Sequence, residues 1–476
     1  MAFVHLLSAF EPRVPRAPIN QTMKFNPDNL ATALQSMPPC DSVLLGFSGG
    51  VDSIALLHAL QSLRVDSQVS FALRAIHVHH GLQVEADSWQ AFCEAFCDAH
   101  QIPLQVAVVH VGIGEPGNKA GLENAARNAR YQAFETNLQQ GEALLLAHHL
   151  DDQLETFLLR LMRGAGTRGL SAMPHYRLLR KSFLFRPLLA FSRESIEAYA
   201  REQDLQWIED GSNADIHFDR NYCRHELMPL IQQRWPEYRD SWSKSLTLIG
   251  EAEGLLSELA EIDLQCVVSE RTDRCDAIDV ERLKQLSEVR QRNVLRFWLA
   301  GLGFNEIGWN RLQQLSREII SARGDTQAVL SLDGFRLRRF RNDLCAIRDL
   351  PAPQQSQSME WQTGKDPSLQ LPDNGRLLAA SQLGAGLRAE MGNSLQVRYR
   401  RGGETCQMVG RPTKSLKKLL QEHEVAPWLR DRIPLIYAGD ELVCIPGIGV
   451  AACQAAHADE PGLTISWESP QFPITD

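Results

Sequence analysis

The sequence predicts an α/β protein. Its N-terminal catalytic domain should be a doubly wound parallel sheet, followed by a mainly helical middle domain and a small α+β C-terminal domain. From residue 43 onward, apolar runs of strand length alternate with segments of helical periodicity, as in sheets whose strands are joined by crossover helices. Loops of small or charged residues follow three of the strands, at the end where such sheets bind ligands.

The alternation predicts five strands and five helices before residue 204. The strands are expected over 43–47, 71–82, 104–111, 143–148 and 183–189, and the helices over 54–60, 85–100, 122–138, 151–163 and 193–203. The helix over 122–138 carries Glu123, Arg127, Arg130 and Tyr131.

Changes in composition divide the 476 residues into segments, within the two to four domains that this length predicts. A proline-containing start without a signal-peptide core reads as an extension, and a stretch rich in proline, glutamine and serine reads as a linker. The predicted boundaries are an extension over 1–38, the catalytic domain over 39–236, the middle domain over 244–348, the linker over 349–368 and the C-terminal domain over 369–476.

Composition excludes several classes of protein. No apolar run reaches the length of a membrane span, so we expect a soluble protein without a membrane partner. The net charge of −9 argues against a nonspecific nucleic-acid coat but leaves room for a local basic surface. The ten cysteines form no Cys-x-x-Cys pair, which disfavours zinc and iron–sulfur sites. Free thiols in a reducing cytoplasm are therefore expected.

A phosphate-binding loop follows the first predicted strand. The strand breaks at Ser48-Gly49-Gly50, and a helix resumes within four residues. Glycines let a phosphate approach the backbone, and the positive end of the helix favours an anion. The loop matches neither the Walker motif nor G-x-G-x-x-G. Hydroxyl donors and a carboxylate for Mg²⁺ complete the predicted phosphate site, which comprises Ser48, Gly49, Gly50, Val51, Asp52 and Ser53.

A cluster of carboxylates opens the helix predicted over 151–163. Helical spacing places Asp151 and Glu155 on one face with Asp152 beside it. Acidic residues at a helix start favour the helix dipole, but three carboxylates preceded by His148 exceed what capping requires. The pattern favours a site for magnesium and an amine beside the predicted phosphate site.

Two basic segments follow. The loop with Arg163 and Arg168 is either a helix end with a turn or a wall of the substrate pocket, and the sequence leaves both options open. Arg220 and Arg224 lie four residues apart, with Asn221 between them, and could hold phosphates.

The C-terminal domain holds a third basic region. Three of its arginines end a predicted strand, and three lysines surround the start of a predicted helix. Cations at a helix N-terminus oppose the dipole, which favours phosphate binding over a merely solvated surface. The residues concerned are Arg398, Arg400, Arg401, Lys414, Lys417 and Lys418.

These motifs carry a resemblance to known enzymes. The Ser-Gly-Gly-Val-Asp-Ser loop resembles that of the N-type ATP pyrophosphatases, the PP-loop family. Its combination with His-His-Leu-Asp-Asp-Gln-Leu-Glu-Thr, Arg-Gly-Ala-Gly-Thr-Arg-Gly-Leu and Asp-Arg-Asn-Tyr is narrower and resembles the tRNA(Ile)-lysidine synthetase family. That family often has Asn where His149 stands and Ile where Tyr222 stands.

The resemblance implies a reaction. The wobble cytidine of an isoleucine tRNA would be adenylated by ATP with release of pyrophosphate, and free lysine would then displace AMP to form lysidine. The implied cofactors are ATP and Mg²⁺, and the RNA partner is the anticodon loop and stem. The oligomeric state stays open, a homodimer being one option.

The resemblance also suggests roles for the catalytic residues. Asp52 and Asp152 would hold magnesium or its water shell, while Asp151 and Glu155 would bind the lysine ammonium or take its proton. The remaining expected contacts are with phosphates and RNA, by His148, Arg220, Arg163, Arg168, Asn221, Arg224 and the six basic residues of the C-terminal domain.

Three alternatives are left. A tRNA thiolase would share the loop but usually needs catalytic cysteines, against which the missing Cys-x-x-Cys speaks. An amidating synthetase would need an ammonia source, and no cysteine follows the first methionine. An RNA-binding protein with a degenerate nucleotide fold would not need the intact loop and carboxylates.

Overall fold

The computed structural model describes residues 23–79, 81, 85–109, 119–179, 182–211, 215–269, 277–304, 307–320, 329–332, 334–353 and 358–470. The chain divides into two compact units, one ending at Leu256 and the other beginning at Ser257, and each is described by itself. Within the described ranges, no helix is both long and apolar enough to cross a membrane.

The first unit is organised around a six-stranded sheet of order β3-β2-β1-β4-β6-β5. All neighbours pair in parallel except β5 and β6, which form an antiparallel hairpin at one edge. The predicted parallel sheet is confirmed, with this hairpin as an addition. The strands are β1 Ser42–Gly46, β2 Ala72–His79, β3 Leu104–Val108, β4 Glu142–Leu145, β5 Tyr176–Leu179 and β6 Ser182–Phe185.

Helices cover both faces of this sheet, because alternate residues of each strand point to opposite sides. On β1, Val43 and Leu45 belong to one buried cluster and Leu44 to the other. The helices are α1 Pro27–Leu34, α2 Val51–Val65, α3 Ala86–Ala99, α4 Lys119–Asn137, α5 Leu150–Met162, α6 Thr167–Leu170, α7 Arg193–Glu202, α8 Asp219–Tyr222 and α9 Met228–Arg234, with a π-helical turn at Cys223–Leu227. Helix α10, Tyr238–Val267, follows.

The strand order places the predicted motifs together. Strand β1 lies between β2 and β4, so the direction of winding reverses between β1 and β4. The loop beginning at Ser48 follows β1, and His148 follows β4. Both therefore lie at the switch point, where open α/β sheets bind ligands.

Part of the predicted N-terminal extension, 1–38, packs into the core of the first unit. Phe25 and Leu30 are fully buried in the core cluster of the sheet, and the ring of Phe25 makes edge contacts with Phe191 and Tyr199 at centroid distances of 5.3 and 5.0 Å. The start of the catalytic domain therefore moves to about Met23, because α1 supplies part of the core.

The second unit begins with a helical region and a four-stranded sheet of order β7-β10-β9-β8. Strands β8 and β9 form a hairpin, with Leu332 opposite Phe335 in an antiparallel pair. A core around Trp298 joins helices to sheet. The elements are β7 Ile278–Asp279, α11 Val280–Gln285, α12 Glu288–Gly301, α13 Trp309–Leu315, a π-helical turn at Ser316–Ile320, β8 Val329–Leu332, β9 Phe335–Phe340 and β10 Asp343–Arg348.

Antiparallel sheets form the rest of this unit, with one short helix. The second half of the predicted linker is structured, since Met359 pairs with Val397 and Trp361 is buried. The elements are β11 Met359–Trp361, β12 Ser368–Gln370, β13 Arg376–Leu383, β14 Leu387–Arg388, a 3-10 turn at Ala389–Asn393, β15 Leu395–Arg398, β16 Thr405–Cys406, β17 Lys414–Ser415, α14 Leu416–Glu422, β18 Leu435–Ala438, β19 Glu441–Ile445, β20 Gly449–Val450, a 3-10 turn at Ala452–Gln454 and β21 Pro461–Glu468.

Candidate active site

The loop after β1 is held open by its own hydroxyl groups. Ser53 is buried and donates to the carbonyl of Gly50 at 2.9 Å, and its Oγ also accepts from the amide of Ser48 at 3.3 Å. Helix α2 begins at Val51 with no side-chain cap on Gly50. The first amides of α2 therefore lack a side-chain partner, which suits them to phosphate oxygens.

Only glycine fits the second position of this loop. Gly49 has a φ of +80°, and a Cβ there would lie 2.5 Å from Cδ1 of Ile208. The carbonyl of Gly49 also accepts from the amide of Ile208 at 2.9 Å. The chain after α7 thus supports the back of the loop.

Asp52 connects the loop to two other elements. Its Oδ2 accepts from Nη1 of Arg193 at 2.5 Å, and its buried Oδ1 has no hydrogen-bond partner among the described residues. Nε2 of His149 lies 3.8 Å from that Oδ1 and 3.5 Å from Oδ2 of Asp152. His149 therefore stands between the carboxylate of the loop and the carboxylates of α5.

His149 also begins helix α5. Its Nδ1 accepts from the amide of Asp152 at 3.4 Å, and Asp152 accepts from the amide of His149 at 3.1 Å, which forms a reciprocal capping box. The Asn that the resembled family often carries here could form the same cap through its side-chain oxygen.

Two carboxylates and two arginines form a buried network on α5. Glu155 accepts from Nε of Arg220 at 3.0 Å and from Nε of Arg224 at 2.6 Å. Asp152 accepts from Nη2 of the same arginines at 3.1 and 3.0 Å. Because Arg224 lies in the π-helical turn after α8, the local winding helps both guanidinium groups to reach one pair of carboxylates. We call these four residues the carboxylate–arginine network.

Asp151 does not belong to this network. Its Oδ1 accepts from Nε of Arg239 at 2.9 Å, and its Oδ2 accepts from the amide of Arg193 at 2.7 Å. The shared role that the sequence predicts for Asp151 and Glu155 stays a prediction. In the structure Glu155 shares its arginine partners with Asp152, because Arg220 and Arg224 approach α5 from a later segment of the chain.

Burial and charge set the protonation of the network. Burial would raise the pKa of Asp152, but His149, Arg220, His148 and Arg224 together hold that pKa well below its usual range. Burial likewise opposes the charge of Arg220, whereas the two carboxylates raise its pKa. Asp152, Arg220 and Arg224 are therefore charged near neutral pH.

Asp52 and His148 differ from the network. Burial raises the pKa of Asp52, although His149 and Arg193 act in the opposite direction. Burial lowers the pKa of His148 to about 3, so its imidazole is neutral at physiological pH. The buried Nδ1 of His148 has no hydrogen-bond partner in the described part of the chain.

The other predicted residues of the first unit lie further from the network. Arg163 is exposed and forms a 3.4 Å ion pair with Asp219, and Arg168 is exposed on α6. Asn221 donates to the carbonyl of Asp215 at 3.0 Å. Their predicted contacts with substrate stay predictions.

The basic residues of the second unit differ in how strongly they are paired. Arg398 lies 4.7 Å above the ring of Tyr437 and 3.3 Å from Asp440, and Arg400 pairs with Asp431 at 3.3 Å. Lys414 pairs with Glu422 at 2.7 Å. The amide of Arg401 donates to Glu404, whereas Lys417 and Lys418 are exposed.

Sequence reasoning missed Arg193, Arg239 and the bridging position of His149. Arg193 is the first residue of α7 and Arg239 lies in the first turn of α10. Neither belongs to a motif, because each reaches the site from an element that is distant in the chain. A signal could have been found only for His149, which lies between His148 and the carboxylates.

Comparison with known proteins matches three family models along the chain. They are described as the PP-loop domain over residues 24–231, the TilS substrate binding domain over 278–345 and the TilS substrate C-terminal domain over 395–467.

Individual relatives match over most of the chain. The tRNA(Ile)-lysidine synthase of Coxiella burnetii is 38% identical over 94% of this chain and 98% of its own length. That of Pseudomonas aeruginosa is 42% identical over 90% and 93%. Among solved structures, the U34-tRNA thiolase NcsA from Methanococcus maripaludis aligns with 47% of this chain and 78% of its own at 15% identity and a TM-score of 0.38. At that score the likeness supports no functional argument.

Proposed function

The chain belongs to the tRNA(Ile)-lysidine synthase family, and we propose that it joins lysine to C2 of the wobble cytidine of an isoleucine tRNA while ATP is cleaved to AMP and pyrophosphate. One observation carries the proposal for the site. His149 lies within 4 Å of both Asp52 in the phosphate-binding loop and Asp152 in the carboxylate–arginine network. An ATP site and a charged site for a second reactant are thus adjacent.

The reaction needs two substitutions. The C2 oxygen of cytosine is a poor leaving group, so it first attacks the α-phosphate of ATP and expels pyrophosphate. The ε-amine of lysine then attacks C2, and AMP leaves with the oxygen. Both steps require that phosphate charge be neutralised.

The loop and the arginines are suited to that task. The open start of α2 would hold the departing pyrophosphate. Arg220 and Arg224 each keep Nη1 without a partner among the described residues, and each side chain is 32% exposed. Arg220 would use that edge to stabilise charge on the α-phosphate, and His148 would contribute a neutral donor or acceptor.

Magnesium fits one carboxylate better than the other. Asp52 offers a buried oxygen without a partner among the described residues, whereas both oxygens of Asp152 already accept hydrogen bonds. We assign Asp52 as the direct ligand and Asp152 to the water shell of the ion. Mg²⁺ usually takes one or two carboxylates together with phosphates and waters. When bound, it would supply charge neutralisation to the phosphates.

The predicted binding of the lysine ammonium by Asp151 and Glu155 is revised in favour of Asp151. Glu155 is 2% exposed and saturated by two arginines, so its contribution is to position them. Asp151 has a side chain that is 14% exposed, and among the described residues only one guanidinium group, that of Arg239, pairs with it. We therefore propose Asp151 as the main contact of the lysine ammonium.

The RNA would extend over several surfaces. Arg163, Arg168 and Asn221 are proposed to contact the anticodon region, and the six basic residues of the C-terminal domain to contact other parts of the tRNA. We propose the predicted domain boundaries with two changes: the catalytic domain begins at about Met23, and the second half of the linker belongs to the folded C-terminal domain. A cytoplasmic location is also proposed, supported by the free thiols of the nine described cysteines.

The decisive experiment is incubation of the full chain with radiolabelled lysine, ATP, Mg²⁺ and bulk tRNA. We expect label in a single tRNA species together with stoichiometric AMP and pyrophosphate. Asp52→Asn should abolish both products, and Arg201→Gln, outside the site, should change neither. ATP-dependent tRNA binding without label would contradict the proposal.

A further inference from the structure

Three arginines surround Tyr131 near the active site. The Cζ atoms of Arg127 and Arg177 lie 5.1 and 5.2 Å from the centre of its ring. Arg186 is 3% exposed and donates from Nη1 to the carbonyl of Pro174 at 2.7 Å. These four residues, which we call the Tyr131 cluster, come from α4, β5 and the end of β6.

No carboxylate of the described ranges neutralises this cluster. Among the described side chains, which do not include those of residues 119–124, neither Asp nor Glu lies within 4 Å of the three guanidinium groups. The buried Nε atoms of Arg177 and Arg186 have no hydrogen-bond partner there either. Arg186 is buried, whereas Arg177 is half-buried and Arg127 is exposed. A buried cation without a carboxylate partner is costly, and the three positive charges repel one another. Stacking on Tyr131 alone offsets little of this cost, so the arrangement is that of an anion site.

The charges of the cluster act on its surroundings. Burial would raise the pKa of Tyr131, but Arg186, Arg127 and Arg177 lower it. Arg186 also contributes to lowering the pKa of His148, on which Asp152 acts in the opposite sense. The amide of Leu146 also donates to the carbonyl of Phe185 at 3.1 Å, so the segment that leads from β4 to His148 runs beside the end of β6 that carries Arg186.

The position of the cluster in the sheet distinguishes it from the ATP phosphate site. The phosphate-binding loop follows β1, whereas Arg186 follows β6, two strands away in the order β1-β4-β6. Two strand spacings separate these points by roughly 10 Å. The proposed function assigns the pyrophosphate to the loop and the α-phosphate to Arg220, so a further phosphate at the cluster belongs to the other reactant.

We propose that the Tyr131 cluster binds a phosphodiester of the RNA strand beside the nucleotide that is modified. This rests on the proposed function, which brings an RNA base to His148 and the α-phosphate. Arginine forks match the geometry of phosphate oxygens. The contact holds the RNA backbone while the base is turned out of the anticodon stack into the site.

The test uses the full chain, transcribed isoleucine tRNA and the variants Arg127→Gln and Arg177→Gln, alone and together. Arg201→Gln is the matched control, since Arg201 is exposed and pairs with Glu197 outside the cluster. We expect the Kd for tRNA to rise about tenfold in the double variant, as for loss of a charge-assisted hydrogen bond. The Kd for ATP should stay within twofold, and the plot of log Kd against log salt should become shallower by about 0.7 for each phosphate that the variant no longer neutralises.

A second arm identifies the phosphate. Anticodon stem-loops with one neutral methylphosphonate at successive positions are bound to the wild type and to Arg177→Gln. A methylphosphonate at one position should weaken binding to the wild type but should not weaken binding to Arg177→Gln any further. Arg127→Gln, at an exposed position of the cluster, gives the same comparison if Arg177→Gln does not fold.

Each result bears on one idea. An unchanged tRNA Kd in the double variant, or an equal loss of ATP affinity, overturns the RNA-phosphate site. If the wild type shows the coupled phosphate but incorporates no lysine, the proposed function fails and the site stands. If lysine is incorporated and no phosphate is coupled to Arg177, only this inference fails.

Discussion

Arg193 donates a 2.5 Å hydrogen bond to Asp52, although the two residues lie 141 positions apart in the chain. Its backbone amide also donates to Asp151 at 2.7 Å. One residue at the start of α7 therefore orients a carboxylate of the phosphate-binding loop and a carboxylate of α5. We regard Arg193 as a positioning residue.

Arg193→Gln should move the acid limit of activity to higher pH. Arg193 is among the charges that lower the pKa of Asp52 against its burial, so its removal raises that pKa further and the carboxylate protonates sooner as pH falls. The measurement is the pH dependence of kcat/KM for ATP. Arg201→Gln on the same helix should leave the profile in place, and an identical profile for Arg193→Gln would contradict the positioning role.

Asp151→Asn and Glu155→Gln should have different effects. Asp151→Asn should raise the KM for lysine at least tenfold with little loss of stability. Glu155→Gln should lower the free energy of unfolding by about 2 kcal/mol, since breaking a buried ion pair is costly and the arginines keep some solvent contact. Lysine kinetics and urea denaturation separate the two. Normal lysine incorporation by Asp151→Asn would exclude it as the ammonium contact.

Gly49→Ala and Gly50→Ala compare two neighbouring glycines of the loop. Gly49 has positive φ and no room for a Cβ, so alanine should cost about 1–3 kcal/mol of stability. Gly50 has a φ of −74° and its nearest atom would lie 3.5 Å from a Cβ, so alanine should be tolerated in the unliganded protein. Thermal denaturation of both variants checks the difference, and equal stabilities would argue against the strained geometry.

His148→Gln should weaken the dependence of stability on pH. The pKa of His148 is about 3 in the folded chain and about 6.5 when unfolded, so the unfolded state binds more protons between these values. The stability contributed by neutral His148 is complete above pH 6.5 and is lost as pH falls towards 3. Between pH 7 and 5 the wild type should lose about 1–2 kcal/mol more than the variant. Urea denaturation at both pH values measures this, and parallel losses would show that His148 titrates normally.

Lys417→Gln combined with Lys418→Gln should weaken tRNA binding. Both side chains are exposed near the start of α14, where cations are unfavourable to the helix dipole. We expect a several-fold rise in the tRNA Kd and a salt slope shallower by about 1 for each phosphate that is no longer bound. Lys365→Gln, an exposed lysine elsewhere in the same unit, is the control. Equal affinities for all three proteins would remove these lysines from the RNA surface.

The sequence alone predicted much of this protein. Strand and helix periodicity placed the parallel sheet, and small residues after Phe47 identified the phosphate-binding loop. These features are local, since a strand, a turn and a helix start are specified by neighbouring residues. The same local patterns also located the carboxylates that begin α5.

Only the tertiary structure decided which charges meet. Helical spacing correctly put three carboxylates at the start of α5. It could not show that Asp151 pairs with Arg239, while Glu155 pairs with Arg220 and Arg224. Those arginines lie on segments that are distant from α5 in the chain, and only the packing of the folded unit brings them to its carboxylates. The Tyr131 cluster has the same origin, because α4, β5 and the end of β6 bring its arginines together only when the sheet is complete.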